Sequence, residues 1–228
     1  MTRVTPLRQP PAAGPVVFDC DGVLLDTEAA WTHAYTILFA RHRIPLRVQQ
    51  RQALLGRSLE TVGRLLEGFL RQPGHAEPLA TEALRLARTE LRHGTTPLPG
   101  AAELVDELQG RRPLAVASNA TRHHLLALLE TAQLADAFEV IVGGDEVAAP
   151  KPAPDLYLHA CRQLHADPAT AIAIEDSPAG IRSARTAGLY VIAIPPPPQR
   201  GAVDADLLAG SLAAASIRTA LRLPPTPR

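Results

Sequence analysis

Two hydrophobic rhythms run along the chain. "PVVF", ending at Phe18, is a short continuous apolar run that predicts a buried strand leading to Asp19. Trp31, Ala34, Tyr35, Leu38 and Phe39 then recur at three- and four-residue spacings and predict a helix over about 27–43, which Ile44-Pro45 breaks. Residues 46–94 read as entirely helical. There Leu59, Val62, Leu65, Leu66 and Phe69 form an amphipathic repeat behind Ser58, a plausible N-cap. "RQPGHAEP" marks a turn, and a further helix spans about 79–93.

After "GTTPLPG" the rhythm alternates. Helices are predicted over about 101–109, 121–131, 155–164 and 178–187, and strands at "PLAVAS", "FEVIVGG", "AIAIED" and "LYVIAI". "PPPP" at 195–198 is a loop, two Ala/Leu-rich segments finish the chain, and the Pro-rich residues 1–14 form a loose tail. Short strands separated by helices imply right-handed βαβ units, hence an α/β fold with a parallel sheet covered on both faces. The all-helical block interrupts that pattern as a separate small domain. The division is a tail over 1–14, a core over 15–27 and 95–228, and a helical insertion over 28–94.

The polar residues sharpen this picture. One strand ends at Asp19, "PLAVA" ends at Ser118-Asn119, and "AIAI" ends at Glu175-Asp176. Lys151 lies in the loop after "VIVGGDEV". In a parallel sheet every C-terminal strand end lies on one edge, the edge where open α/β sheets bind ligands. Asp19, Asp21, Glu175 and Asp176 offer hard oxygen ligands with no Cys or His, a donor set that suits Mg²⁺ and not Zn²⁺. Ser118, Asn119 and Lys151 offer a hydroxyl, an amide and a positive charge that suit phosphate oxygens, and Thr121 and the following helix start add to them. A carboxylate can attack phosphorus to give an aspartyl phosphate, with Mg²⁺ offsetting the repulsion between two anions.

Composition narrows the partners. Net charge is zero over 228 residues, which argues against a nucleic-acid or membrane-surface binder but leaves room for a small phosphorylated ligand. Lys151 is the only lysine among the 23 basic side chains, a shortage that codon bias toward Arg accounts for. Cys20 and Cys161 lack metal-type spacing and indicate a reducing compartment. The N-terminal stretch has no apolar h-region and no long apolar span follows, so the default expectation is a cytoplasmic protein.

These residues together resemble the haloacid dehalogenase superfamily, in the branch with a small helical cap. "FDCDGVLLDTE" is similar to its first motif, "VASNA" to the second, "GGDEVAAPKPAPDLY" to the third and "IEDSPAGIRSARTAG" to the fourth, in family order and over most of the chain. The resemblance implies a Rossmann-like core with an inserted cap. It also implies that Asp19 is the nucleophile and Asp21 the general acid/base, whose backbone carbonyl binds Mg²⁺. Asp176 matches the direct Mg²⁺ ligand, and Glu175 a neighbour that binds the metal or its water. Ser118 and Lys151 match the phosphate-holding pair, with Asn119 beside them, and Lys151 would offset the charge of Asp19.

Other positions carry two readings each. Asn119 either binds phosphate or caps a helix, and Asp26 orients the loop or caps the next helix. Glu28 faces the substrate from the hinge or is merely exposed. Arg57, beside Gly56 in "LLGRS", resembles the cap loop that reaches toward the substrate. Trp31 is core or walls the pocket. Asp145 and Glu146 read as loop carboxylates, and His123-His124 as surface residues.

Within the family, a dehalogenase usually lacks the aspartate found here at Asp21. A phosphonatase of this branch needs a cap lysine, which this chain lacks. A β-phosphoglucomutase typically carries a histidine where this chain has Trp31, yet "EVAAPKPAPD" looks mutase-like. The expectation is therefore a Mg²⁺-dependent phosphomonoester hydrolase acting on a small sugar phosphate, polyol phosphate or phosphoglycolate, as a monomer or homodimer. A mutase and a non-catalytic phosphate-ligand sensor are the alternatives.

Overall fold

The computed structural model describes residues 8–55, 57, 59–91, 95–195 and 203–225. The core is a six-stranded sheet, β1 (Val16–Phe18), β2 (Leu114–Ala117), β3 (Val140–Val142), β4 (Ile172–Glu175), β5 (Tyr190–Ala193) and β6 (Leu207–Leu208). Its order is β3-β2-β1-β4-β5-β6, and every neighbouring pair is parallel. Strand β1 therefore lies mid-sheet, between β2 and β4. The two-residue β6 lies in the Ala/Leu-rich end, where sequence patterning gave no strand.

Strand periodicity splits the apolar residues between two faces. Val16, Phe18, Leu114, Val116, Ile172 and Ile174 point to one layer, with α5 (Ala101–Leu108), α6 (Arg122–Thr131) and α9 (Ala215–Leu221). Phe18 meets Phe138 there, rings edge to face at 6.0 Å. Val17, Ala115, Ala117 and Ala173 point to the other, with α7 (Asp155–Gln163) and α8 (Pro178–Thr186). Alanines on that face let α7 and α8 lie close, which brings Tyr157 beneath the strand ends.

Between β1 and β2 come α1 (Glu28–Arg41), α2 (Val48–Leu54), α3 (Leu59–Leu70) and α4 (Ala76–Leu91). They enclose their own apolar cluster of Tyr35, Leu38, Phe39, Leu66, Leu70 and Leu86, among others. Two linkers join this helical cap to the core. Asp26 N–H donates to Thr96 O at 3.1 Å and Leu98 N–H to Leu24 O at 2.8 Å, so the linkers run side by side.

Residues 8–14 depart from the loose tail expected over 1–14. Arg8 donates to Leu189 O at 2.9 Å, and buried Arg112 donates to Gly14 O at 2.7 Å. Carbonyls and guanidinium groups thus hold this stretch to the sheet. Gly56, the N-cap position Ser58, the predicted helix end at His93, and Pro196 to Pro198 lie outside the described residues.

Candidate active site

The expected strand ends meet in one pocket, lined by Asp19, Asp21, Ser118, Asn119, Lys151 and Asp176 from the core. Asp19 prolongs β1, its N–H still donating to Ile174 O at 2.9 Å. Lys151 Nζ, buried, lies 2.5 Å from Asp19 Oδ1 and 2.6 Å from Glu175 Oε1, so one ammonium bridges two strand ends. It also sits 5.0 Å over the Tyr157 ring. Burial opposes its charge, but Asp19 and Glu175 outweigh that and hold its pKa above the ordinary lysine value. An arginine fork could not fit between two carboxylates set for a compact ammonium.

Burial pushes the Asp19 carboxyl up to about 7; Lys151 opposes this, while Glu175 and Asp21 add to it. Burial, Asp19 and Glu175 likewise hold the Asp176 carboxyl well above its usual range, and Lys151 alone offsets part of this. One lysine does not neutralise this concentration of carboxylates. Asp19, Glu175 and Asp176 bring one oxygen each within 4.8 Å of one another. An all-oxygen, charge-starved cluster of this kind fits a hard divalent cation.

Glu175 has another occupation. Its Oε1 accepts from Lys151 and from Tyr157 Oη at 2.8 Å. Its Oε2 accepts from Asp176 N at 3.1 Å and from Ser177 N and Oγ, each at 3.2 Å. The side chain is wholly buried and its acceptor capacity is used. Gly180 makes this possible: a Cβ there would lie 1.7 Å from Glu175 Oε1. Asp19, through the oxygen that Lys151 does not bond, and Asp176 keep carboxylate oxygens without a donor among the described residues. Gly22 serves Asp176 in a similar way, since its φ is +80° and a Cβ would lie 2.3 Å from Asp176 Oδ2.

Asp21 stands apart from Lys151. Thr27 Oγ1 donates to its Oδ1 at 2.6 Å, and Ser118 Oγ to its Oδ2 at 3.4 Å. Thr27 was not singled out by sequence patterning, because a threonine before a helix reads first as a cap. Asn119 lines the pocket with its amide tied to the lysine loop. Oδ1 accepts from Lys151 N at 2.8 Å and Nδ2 donates to Lys151 O at 3.3 Å, so Asn119 clamps the lysine loop and its side chain does not cap the helix that follows. The helix start is served instead by Asp145, whose Oδ1 accepts from Arg122 N at 2.8 Å.

The cap supplies the opposite wall. Glu28 opens α1 and pairs with Arg51 at 2.5 Å. Arg57 is exposed at the rim and donates to Ala53 O at 3.3 Å. Trp31 and Tyr35 both line the pocket, their rings 5.8 Å apart. The surface reading of His123-His124 is corrected for His124, which is 8% exposed and lines the pocket beside Arg88. The signal was available: His124 sits four residues before Leu128, on the buried face of α6. Arg88 likewise sits four residues after Leu84, which also lines the pocket.

A family model described as haloacid dehalogenase-like hydrolase matches residues 16–194. Protein CbbY of Rhodobacter capsulatus is 35% identical over 204 residues, covering 82% of this chain and 87% of that one. Fructose-1-phosphate phosphatase YqaB of Escherichia coli is 29% identical over 177 residues, covering 78% of this chain and 94% of that one. The crystal structure of CbbY from Rhodobacter sphaeroides in complex with phosphate superposes with a TM-score of 0.77 at 29% identity, over 92% of this chain and all of that one.

Proposed function

The chain belongs to the haloacid dehalogenase-like hydrolases, and from that membership we infer that it is a phosphatase of a small phosphorylated metabolite, working through an aspartyl phosphate on Asp19. The observation that carries this reading is the buried Asp19–Lys151–Glu175 bridge facing a pocket that also holds Asp21, Ser118 and Asp176. A sensor built on this scaffold would be expected to have lost one of these groups, and none is missing.

In the proposed reaction, an Asp19 oxygen attacks phosphorus as the ester P–O bond breaks. Asp21 gives its proton to the departing alkoxide, so the alcohol leaves neutral. Asp21 then takes a proton from water as that oxygen attacks phosphorus, and the bond to Asp19 breaks. Asp21 suits both steps because Thr27 orients it and no cation among the described residues pairs with it. Lys151 suits the phosphoryl oxygens and the charge of Asp19 together. Asp19 and Asp176 would hold Mg²⁺, which supplies neutralisation of the charge shared by carboxylate and phosphate. The cap covers the pocket and excludes water.

The experiment is phosphate release from a panel of phosphomonoesters with Mg²⁺, with and without EDTA, including β-glucose 1-phosphate. Release abolished by EDTA supports the reading. Conversion of β-glucose 1-phosphate to glucose 6-phosphate without release would make the protein a mutase, in spite of Trp31 walling the pocket. Turnover of nothing, with ligand still bound, would favour a sensor.

A further inference from the structure

We propose that Tyr157 is a positioning residue for Lys151: its phenol fixes the Glu175 oxygen that holds the ammonium, and its ring backs the ammonium, so that the lysine keeps its place beside Asp19. The proposal rests on the phosphatase reading and adds a residue to its machinery.

A lysine is a compact charge on a flexible four-carbon stem, so its position must be set at both ends. The backbone end is set by Asn119, which bonds both Lys151 N and Lys151 O, and by Ser183, whose Oγ donates to Ala153 O at 2.5 Å. The ammonium end is a different matter. Nζ stands between Asp19 Oδ1 at 2.5 Å and Glu175 Oε1 at 2.6 Å, two carboxylates at nearly equal reach. Its contact with Asp19 therefore depends on where Glu175 stands and how strongly Glu175 competes.

Tyr157 acts on both. Its Oη donates at 2.8 Å to Oε1, the same Glu175 oxygen that Lys151 bonds. That bond occupies a lone pair and draws on the charge of Oε1, so Glu175 steadies the ammonium without pulling it off Asp19. The other oxygen, Oε2, is held by Asp176 N and by Ser177 N and Oγ, so the carboxylate is fixed at both ends. Nζ lies 5.0 Å from the centroid of the Tyr157 ring, within reach of a cation–π contact. Asp19 and Glu175 accept two of the three N–H donors of Nζ, which leaves one for a phosphoryl oxygen.

Packing alone does not ask for the hydroxyl. The ring is wholly buried in the apolar cluster on that face of the sheet, and a phenylalanine would satisfy such packing. The partner of the hydroxyl among the described residues is Glu175. Tyr157 also stands in the first turn of α7, the helix that follows the lysine loop, so one segment delivers both the ammonium and its support.

The test uses a property of the sequence: Lys151 is the only lysine in the chain. The full-length protein labelled with ¹³C,¹⁵N-lysine therefore gives one ammonium resonance, which reports Lys151 directly. It is recorded with Mg²⁺ present for the wild type, Tyr157→Phe and Tyr157→Leu. Activity is measured on the phosphomonoester of the panel that the wild type hydrolyses fastest. Tyr157→Phe should keep the wild-type far-ultraviolet spectrum and move the resonance. It should lower kcat and kcat/KM together, about 10- to 100-fold, as loss of a hydrogen bond to a charged group predicts. Tyr157→Leu, which also removes the ring, should move the resonance further toward that of free lysine. An equal shift in both variants overturns the part given to the ring. An unmoved resonance in Tyr157→Phe overturns the proposal whether or not kcat falls, because Tyr157 then acts through something other than the lysine. A moved resonance with unchanged kcat, or with a rise in KM alone, overturns it too. A moved resonance, with no phosphate released by the wild type from any member of the panel, would overturn the phosphatase reading and leave the coupling of Tyr157 to Lys151 standing.

Discussion

Replacing Glu175 by Gln separates two roles for that carboxylate, anchor of Lys151 or metal ligand. Glutamine keeps the shape and removes both the charge and one acceptor. If its NH₂ group faces Lys151, a donor meets an ammonium at the 2.6 Å position. If it turns over, it meets the backbone N–H groups of Asp176 and Ser177, which now donate at 3.1 and 3.2 Å. Either way a fully buried site is mispaired, and breaking a buried ion pair typically costs about 3–5 kcal/mol. One effect opposes this. Glu175 repels Asp19 and Asp176, raising both of their pKa values, and its neutralisation relieves that. The direct contacts outweigh the relief, because Lys151 touches Glu175 and burial leaves no water to replace the bond. In a chain of this size the loss corresponds to a fall in Tm of roughly 6–20 °C. The assay is thermal unfolding by circular dichroism without Mg²⁺, alongside the Mg²⁺ concentration giving half-maximal activity. The latter should move less than in Asp176→Asn. An unchanged or raised Tm, with Mg²⁺ affinity lost, would refute the anchoring argument and make Glu175 a metal ligand.

Asp19→Asn should abolish phosphate release while keeping the far-ultraviolet spectrum of the wild type; residual turnover above background would remove Asp19 as nucleophile. Gly22→Ala should displace Asp176 and raise the half-saturating Mg²⁺ concentration about tenfold or more, with about 1–2 kcal/mol of backbone strain at φ +80°; unchanged Mg²⁺ dependence would show that the close approach does not matter. His124 has its folded pKa below 6.5, so its neutral form favours the fold above that pH, and this contribution is lost as pH falls through the folded value. Urea midpoints should therefore fall more for the wild type than for His124→Gln between pH 8 and acid pH, and parallel curves would contradict the burial argument.

The sequence by itself placed five of the six strands and the polar groups at their ends. Apolar runs at "VVF", "LAVA" and "IAIE" place Asp19, Ser118 and Asp176 at strand ends, and parallel topology then allows only one edge for them. Long helical repeats such as Trp31 to Phe39 were legible for the same reason, that burial imposes a period. The division of labour among the polar groups was not legible. Nothing local distinguishes Asn119 as a clamp, Glu175 as an anchor or Asp145 as a distant cap, because each finds its partner 20 or more residues away. Tyr157 joined the site through Glu175, 18 residues on, while Thr27, only six residues from Asp21, was hidden by its place just before a helix. The described part of the tail is held by Arg8 and Arg112, whose targets are carbonyls with no side-chain signature. Only tertiary packing, which sets the cap against α6, turned Arg88 and His124 from an ordinary helix arginine and an apparent surface histidine into facing walls of one pocket.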